Sequence, residues 1–117
     1  MTIHKMGGGV LRGRLIEADL EAEALEVHPP LGDGRPEIVA TSRIAAIFFN
    51  SAPGDPPATM SGQPVVVRFE TGRQMKGKAD MLYEGSPGFF FLPDDAARTM
   101  TAKIFVYRHG SRVVETS

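Results

Sequence analysis

The chain has 117 residues, with 13 Lys and Arg against 14 Asp and Glu and a formal net charge of -1. This length suits one domain with a modest core rather than an elaborate enzyme, and a near-neutral balance gives no global field for nucleic acid or a membrane surface. The absence of cysteine excludes disulfides and thiolate metal sites. The start MTIHKMGGG lacks the apolar core of a signal peptide and no run reaches membrane-spanning length, so a soluble cytoplasmic protein with no membrane contact is expected.

In chain order, Met1–Met6 reads as a short strand before the triplet Gly7–Gly9, and Val10–Ile16 as a strand broken by Gly13. Glu17–Glu26 is rich in helix formers, with Leu20, Ala24 and Val27 on one helical face. The alternation of Leu25 and Val27 before Pro29–Pro30 favours a strand leaving a turn. Leu31–Pro36 is a loop, Glu37–Ala40 a short strand and Ser42–Phe49 an apolar strand. Asn50–Gly62 holds three prolines and two glycines without apolar period, the pattern of a linker. Val65, Val67 and Phe69 alternate in period 2, Thr71–Gly72 makes a tight turn, and Met75, Gly77 and Ala79 resume the alternation with Lys76 and Lys78 opposite. This hairpin is the clearest element in the sequence, and its Gly77 marks a sharp bend or a close backbone approach. Tyr83–Gly88 is a turn, Phe89–Leu92 a strand, and Pro93–Arg98 a turn or a single helical turn. Ala102–Arg108 and Ser111–Glu115 are strands joined at His109–Gly110.

An internal repeat organises these elements. Placing Gly13 on Gly77 puts Gly8 on Gly72, Leu11 on Met75, Arg12 on Lys76, Arg14 on Lys78, Leu25 on Phe89, Val27 on Phe91 and Pro29 on Pro93. Two extra residues in the second copy bring Ile47 onto Val113. The expected architecture is all-β: a first repeat at 1–49, a linker at 50–61 and a second repeat at 62–117, each of about five short bent strands in the manner of a small Sm/SH3-like barrel. The repeat favours a hairpin over a helix at Glu17–Glu26, with a short helix at 17–25 as the second reading.

The second half carries three resemblances. The alternation into Gly72, Met75 and Gly77, with Val106-Tyr107-Arg108-His109 followed by Ser111 and Val113–Val114, resembles the two motifs of the bacterial Sm-like RNA chaperones of the Hfq family. That likeness implies an RNA site and a ring. Asp80 to Gly85 is similar to the Asp-x-Ser-x-x-Gly element by which PilZ domains contact cyclic di-GMP, with Leu82 where the serine would stand. The repeat as a whole resembles an uncharacterised all-β module of bacterial signalling proteins, on Val67–Gly77, Phe89–Pro93 and Ile47–Phe49.

Two groups of residues are candidates for binding. Arg12 and Arg14, and at equivalent positions Lys76 and Lys78, are cation pairs that could take an anion or an acidic partner, or could simply guard a solvated edge strand. Arg108, His109 and Arg112 could hold phosphate or form a charged turn. Phe89–Phe91 and Ile47–Phe49 cannot each face a single core, because successive side chains alternate. Either both faces are covered or Phe48, Phe49, Phe90 and Tyr107 mark an interface. The three histidines have no metal-ligand spacing, no nucleophile motif is present, and no cofactor is expected. The sequence therefore points to a non-enzymatic adapter in a bacterial signalling or polarity system, with a protein partner and a homodimer or higher oligomer. The alternative is an Sm-like RNA binder using Lys76, Lys78, Arg108 and His109, with Tyr107 or Phe90 as a stacking platform.

Overall fold

The computed structural model describes residues 1–16, 19–30, 34–52, 54, 62–70, 72–80 and 87–115, with the side chains of 80, 97, 98 and 112–115 left aside. It is all-β. The strands are β1 (Thr2–Lys5), β2 (Val10–Arg12), β3 (Ala24–Val27), β4 (Glu37–Ala40), β5 (Ile44–Asn50), β6 (Gln63–Phe69), β7 (Gln74–Asp80), β8 (Gly88–Pro93), β9 (Thr101–Tyr107) and β10 (Ser111–Glu115). Eight of them form one antiparallel sheet in the order β10-β6-β7-β8-β9-β5-β1-β2, and β3 and β4 form a second ladder. A bridge between Arg14 and His28 joins the two ladders just beyond β2. A single helical turn, α1 (Ala96–Thr99), separates β8 from β9.

Most of the expected strands are found with small shifts at their ends, but Val10–Ile16 is a strand only over Val10–Arg12, with Arg14 in an isolated bridge. Of the hairpin expected at Glu17–Glu26, the described residues show only the start of β3. Glu37–Ala40 and Ser111–Glu115 are strands over those residues. Ser42 and Arg43, expected in a strand, instead lie in a 3-10 turn at Thr41–Arg43. Arg108 likewise leaves the strand for a 3-10 turn at Arg108–Gly110. In both places one tight turn reverses the chain between strands that are not paired with each other: β4 of the small ladder hands on to β5 inside the large sheet, and β9 inside that sheet hands on to β10 at its edge. Among residues 19–27 there is no helix; Leu20–Glu21 is a turn and β3 starts at Ala24. Residues 17 and 18, most of the linker, and 81–86 with the PilZ-like element lie outside the described residues.

The cross-strand pairs follow the spacing of the two glycines. Thr2, Ile3 and His4 pair with Arg12, Leu11 and Val10; the residues 64 positions later, Val66, Val67 and Arg68, pair with Lys76, Met75 and Gln74. Arg14 opposite His28 corresponds in the same way to Lys78 opposite Leu92. Phe48 and Ile47 on β5 face Thr2 and Ile3, and Val114 and Val113 on β10 face Val66 and Val67. The glycines serve one purpose in both places. A Cβ on Gly13 would lie 2.5 Å from the His28 carbonyl oxygen and 2.6 Å from a Val27 methyl. A Cβ on Gly77 would press on the Leu92 carbonyl oxygen and lie 2.7 Å from Pro93 Cα. Only glycine lets the bent strand pass so close to its neighbour.

Two cores lie on the two faces of the shared sheet. One holds Ile3, Leu25, Val27, Val39, Ile44 and Ile47 from the first half, together with Phe105 and Tyr107 from β9. The other holds Val65, Val67, Ala79, Phe89, Phe91, Ile104 and Val106, together with Ala46 from β5. The pairing of β5 with β9 is the seam between the halves, and each seam strand sends alternate side chains into both cores. A register shift between His4 and Lys5 puts Ala46 and Ile44 opposite consecutive residues of β1. That bulge turns Ile44 into the same core as Ile47.

Candidate functional site

The seam decides the role of the aromatic candidates. Tyr107 is 1% exposed, and its hydroxyl donates to the Leu20 carbonyl oxygen at 2.7 Å. Burial, and then the charge of Asp19, push its pKa up to about 12. Phe90 is half-buried against the first-half core and meets Phe105 edge-on at 5.1 Å. Phe49 packs on the same core and Phe48 on the other. Both apolar strands thus send side chains into the chain's own two cores, while Phe48, Phe49 and Phe90 remain partly exposed. Lys103, which sequence reasoning passed over, lies between Phe90 and Phe49 with its ammonium 4.6 and 5.4 Å from their ring centroids. Its place two residues before Phe105 on the same strand face was the available signal.

The cationic candidates are spread over the molecule. Arg12, Lys76 and Lys78 are exposed on their strands and Arg14 is exposed just beyond β2, where it donates from Nε to the Pro29 carbonyl oxygen at 3.0 Å. Arg108 lies 5.4 Å over the Phe89 ring. His109 stacks on Tyr107 at 5.5 Å, and its Nε2 lies 2.7 Å from the Ile44 carbonyl oxygen, so its ring fastens the last 3-10 turn to β5. Lys78 pairs with Leu92 near one end of β8, whereas Tyr107, next to Arg108, pairs with Gly88 at the other. At about 3.3 Å per residue these groups stand roughly 13 Å apart along the strand. Lys76 and Lys78 share a face; Arg108 and His109 do not join them. The side chain of Arg112 lies outside the described residues.

The feature that both halves build together is a cleft where their first hairpin turns meet. One wall is the β1–β2 turn, Met6–Gly9; the other is the β6–β7 turn with Phe69, Glu70 and Arg73; Ala45 and Phe48 of β5 form the floor. Glu70 and Arg73 stand 64 positions after Met6 and Gly9, the offset that also separates the pairs of the two hairpins. Gly7, Gly8 and Gly72 take φ of 87, 100 and 91°, the left-handed geometry that tight hairpins need. The Lys5 amide donates to the Gly9 carbonyl at 2.7 Å, and the Met6 amide to the Arg43 carbonyl at 2.7 Å. The Glu70 amide donates to Gly110 at 3.2 Å, which fixes the second turn to the end of the seam. His4 packs on Phe48 with ring centroids 4.4 Å apart. Burial, and then the charge of Arg73, hold its imidazole below its ordinary pKa. The enclosed space is about 60 Å³. With a water needing some 10–15 Å³ of such space, this is room for a few waters or one side chain. The rim carries Lys5, Arg73 and Glu70, with Lys5 also 3.5 Å from Glu37. Among the described residues no group of three or more His, Cys, Asp or Glu could hold a metal ion, and no helix is long and apolar enough to cross a membrane.

Residues 1–116 match the model of a family of unknown function, DUF6982. No curated protein and no solved structure matches the chain.

Proposed function

The chain belongs to the family of unknown function DUF6982, and from its geometry we propose that it is a non-catalytic interaction module built from two copies of one small bent-sheet unit. It takes a segment of a protein partner into the cleft between the two hairpin turns. The observation that carries this reading is the cleft itself: an apolar floor of Ala45 and Phe48, walls from both halves, and a volume matched to one inserted side chain. The partner segment anchors an apolar side chain on Phe48 and directs a carboxylate toward Arg73, the exposed cation of the rim. His4, kept neutral by burial, adds apolar surface without competing charge. A bacterial signalling or polarity setting rests on the resemblance of the repeat to modules of such proteins. The RNA reading draws support only from Lys76 and Lys78, because Arg108 and His109 stand at the far end of β8.

Peptides selected from a random display library on the immobilised chain provide the test, with amide chemical shifts locating where they bind. Shifts should concentrate at Met6–Gly9, Phe48 and Phe69–Arg73, and Arg73→Glu should weaken binding about tenfold, the loss of a charge-assisted contact. Binders that ignore Arg73→Glu and shift residues elsewhere would refute the cleft as the site. Salt-sensitive binding of short RNAs that is lost in a Lys76→Ala, Lys78→Ala double variant would replace it with the RNA reading.

A further inference from the structure

We propose that the chain assembles head to tail with copies of itself, β10 of one copy adding to β4 of the next in the register that β5 and β9 use within one chain. The seam joins the last strand of the first half to the fourth strand of the second. Among the described strands it leaves their two counterparts open: β4 pairs only with β3, and β10 only with β6. The correspondence is set residue by residue. Phe48 and Val114 face Thr2 and Val66, which are themselves equivalent, so β10 follows β5 by 66 positions. Val39 faces Leu25 where Val106 faces Phe89, so β9 follows β4 by 67. The seam pairs Ala46, Ile47 and Phe48 with Val106, Phe105 and Ile104. Carried over to two copies, these pairs become Arg112 with Val39, Val113 with Ile38, and Val114 with Glu37.

Exposure marks the same position. Phe105, paired across the seam, is 5% exposed; its counterpart Ile38, on the open edge, is 66% exposed. An exposed β-branched residue on an unpaired strand edge is a template for another strand. Because the two edges differ, the contact is heterologous and continues until it closes as a ring or extends as a filament. Pro36 stands where Lys103 stands in the seam and offers no amide donor. The ladder between copies is thus shorter than the seam, and the association is concentration-dependent.

Sedimentation velocity of the full chain from low to high micromolar concentration tests this. The wild-type mass should rise beyond a dimer. Ile38→Asp puts a carboxylate at the exposed edge position, and Val114→Asp puts one opposite Glu37 of the neighbouring copy. Each should weaken association about fivefold or more. An equimolar mixture of the two variants should stop at a dimer, because each keeps one intact edge. Amide exchange on the wild type needs no variant: β4 and β10 should gain protection together as concentration rises. A mass that stays monomeric throughout would overturn the proposal. So would loss of association in Ile38→Asp alone with protection confined to β4, which would mean symmetric β4-to-β4 pairing. Protection of both edges without growth in mass would equally overturn it, as no second copy would be bound.

Discussion

Tyr107 offers the most direct test of how the halves are coupled. Its ring lies in the first-half core although its strand belongs to the second half, and its hydroxyl holds the Leu20 carbonyl at 2.7 Å. The folded protein holds its pKa at about 12, against about 10 in an unfolded chain. The folded value is the higher one, so the unfolded chain loses its proton first. The resulting stability is complete below about pH 10 and drains away as pH rises toward 12. Two pKa units correspond to roughly 3 kcal/mol at full titration. Tyr107→Phe should cost about 1–2 kcal/mol at neutral pH, through the lost hydrogen bond and the half-buried Leu20 carbonyl left without it. It should also remove that part of the alkaline loss. Urea denaturation of both proteins at neutral and at alkaline pH measures the difference, and since Tyr83 and the lysines are common to both, their titration cancels. Tyrosinate absorbance should show one tyrosine in the wild type titrating late. If the two proteins lose stability in parallel above pH 10, or both tyrosines titrate at ordinary values, Tyr107 is not the buried link described.

Gly77→Ala and Gly13→Ala should each destabilise by about 3 kcal/mol or more, because the added methyl meets backbone that cannot yield without breaking ladder bonds. Gly72→Ala, where the methyl would meet open space but φ is 91°, should cost only about 1 kcal/mol; chemical denaturation ranks the three. His4, whose folded pKa is lowered, takes up its proton more readily in the unfolded chain. Stability should therefore decline as pH falls through about 6.5 and below, and His4→Leu should flatten this slope, as read by thermal melts across that range.

Much of the fold was legible because it is written locally. Val65–Phe69 and Met75–Ala79 alternate cleanly, and Gly72 supplies the turn between them. The offset from Gly13 to Gly77 reappears between the pairs of the two first hairpins, though the sequence named none of those pairs. The 3-10 turn at Thr41–Arg43 was read as strand because Ser42–Arg43 runs without a break into Ile44 and carries no glycine or proline. The seam was not legible at all. Nothing in Ile44–Asn50 or Thr101–Tyr107 names the other as its neighbour, and their near-continuous apolar runs fit equally a covered sheet and an exposed interface. The cleft was hidden for the same reason. Its walls are turns 64 positions apart, and nothing in the sequence says that they touch.

The seam also explains why the aromatic candidates are largely drawn into the chain's own cores. Each half of the chain contributes to the core of the other: Phe105 and Tyr107 go one way and Ala46 the other. Most of each aromatic run is used in joining the halves, with Lys103 laid across the partly covered rings of Phe49 and Phe90 and Phe48 left facing the cleft. What remains for partners is what the join itself creates or leaves over. It creates the cleft, which exists only while both turns are held at the end of β5. Among the strand edges it leaves over are those of β4 and β10. The proposed recognition and the proposed assembly both depend on the pairing of β5 with β9, so a substitution that slips this register should damage both together, whereas Arg73→Glu and Ile38→Asp should separate them.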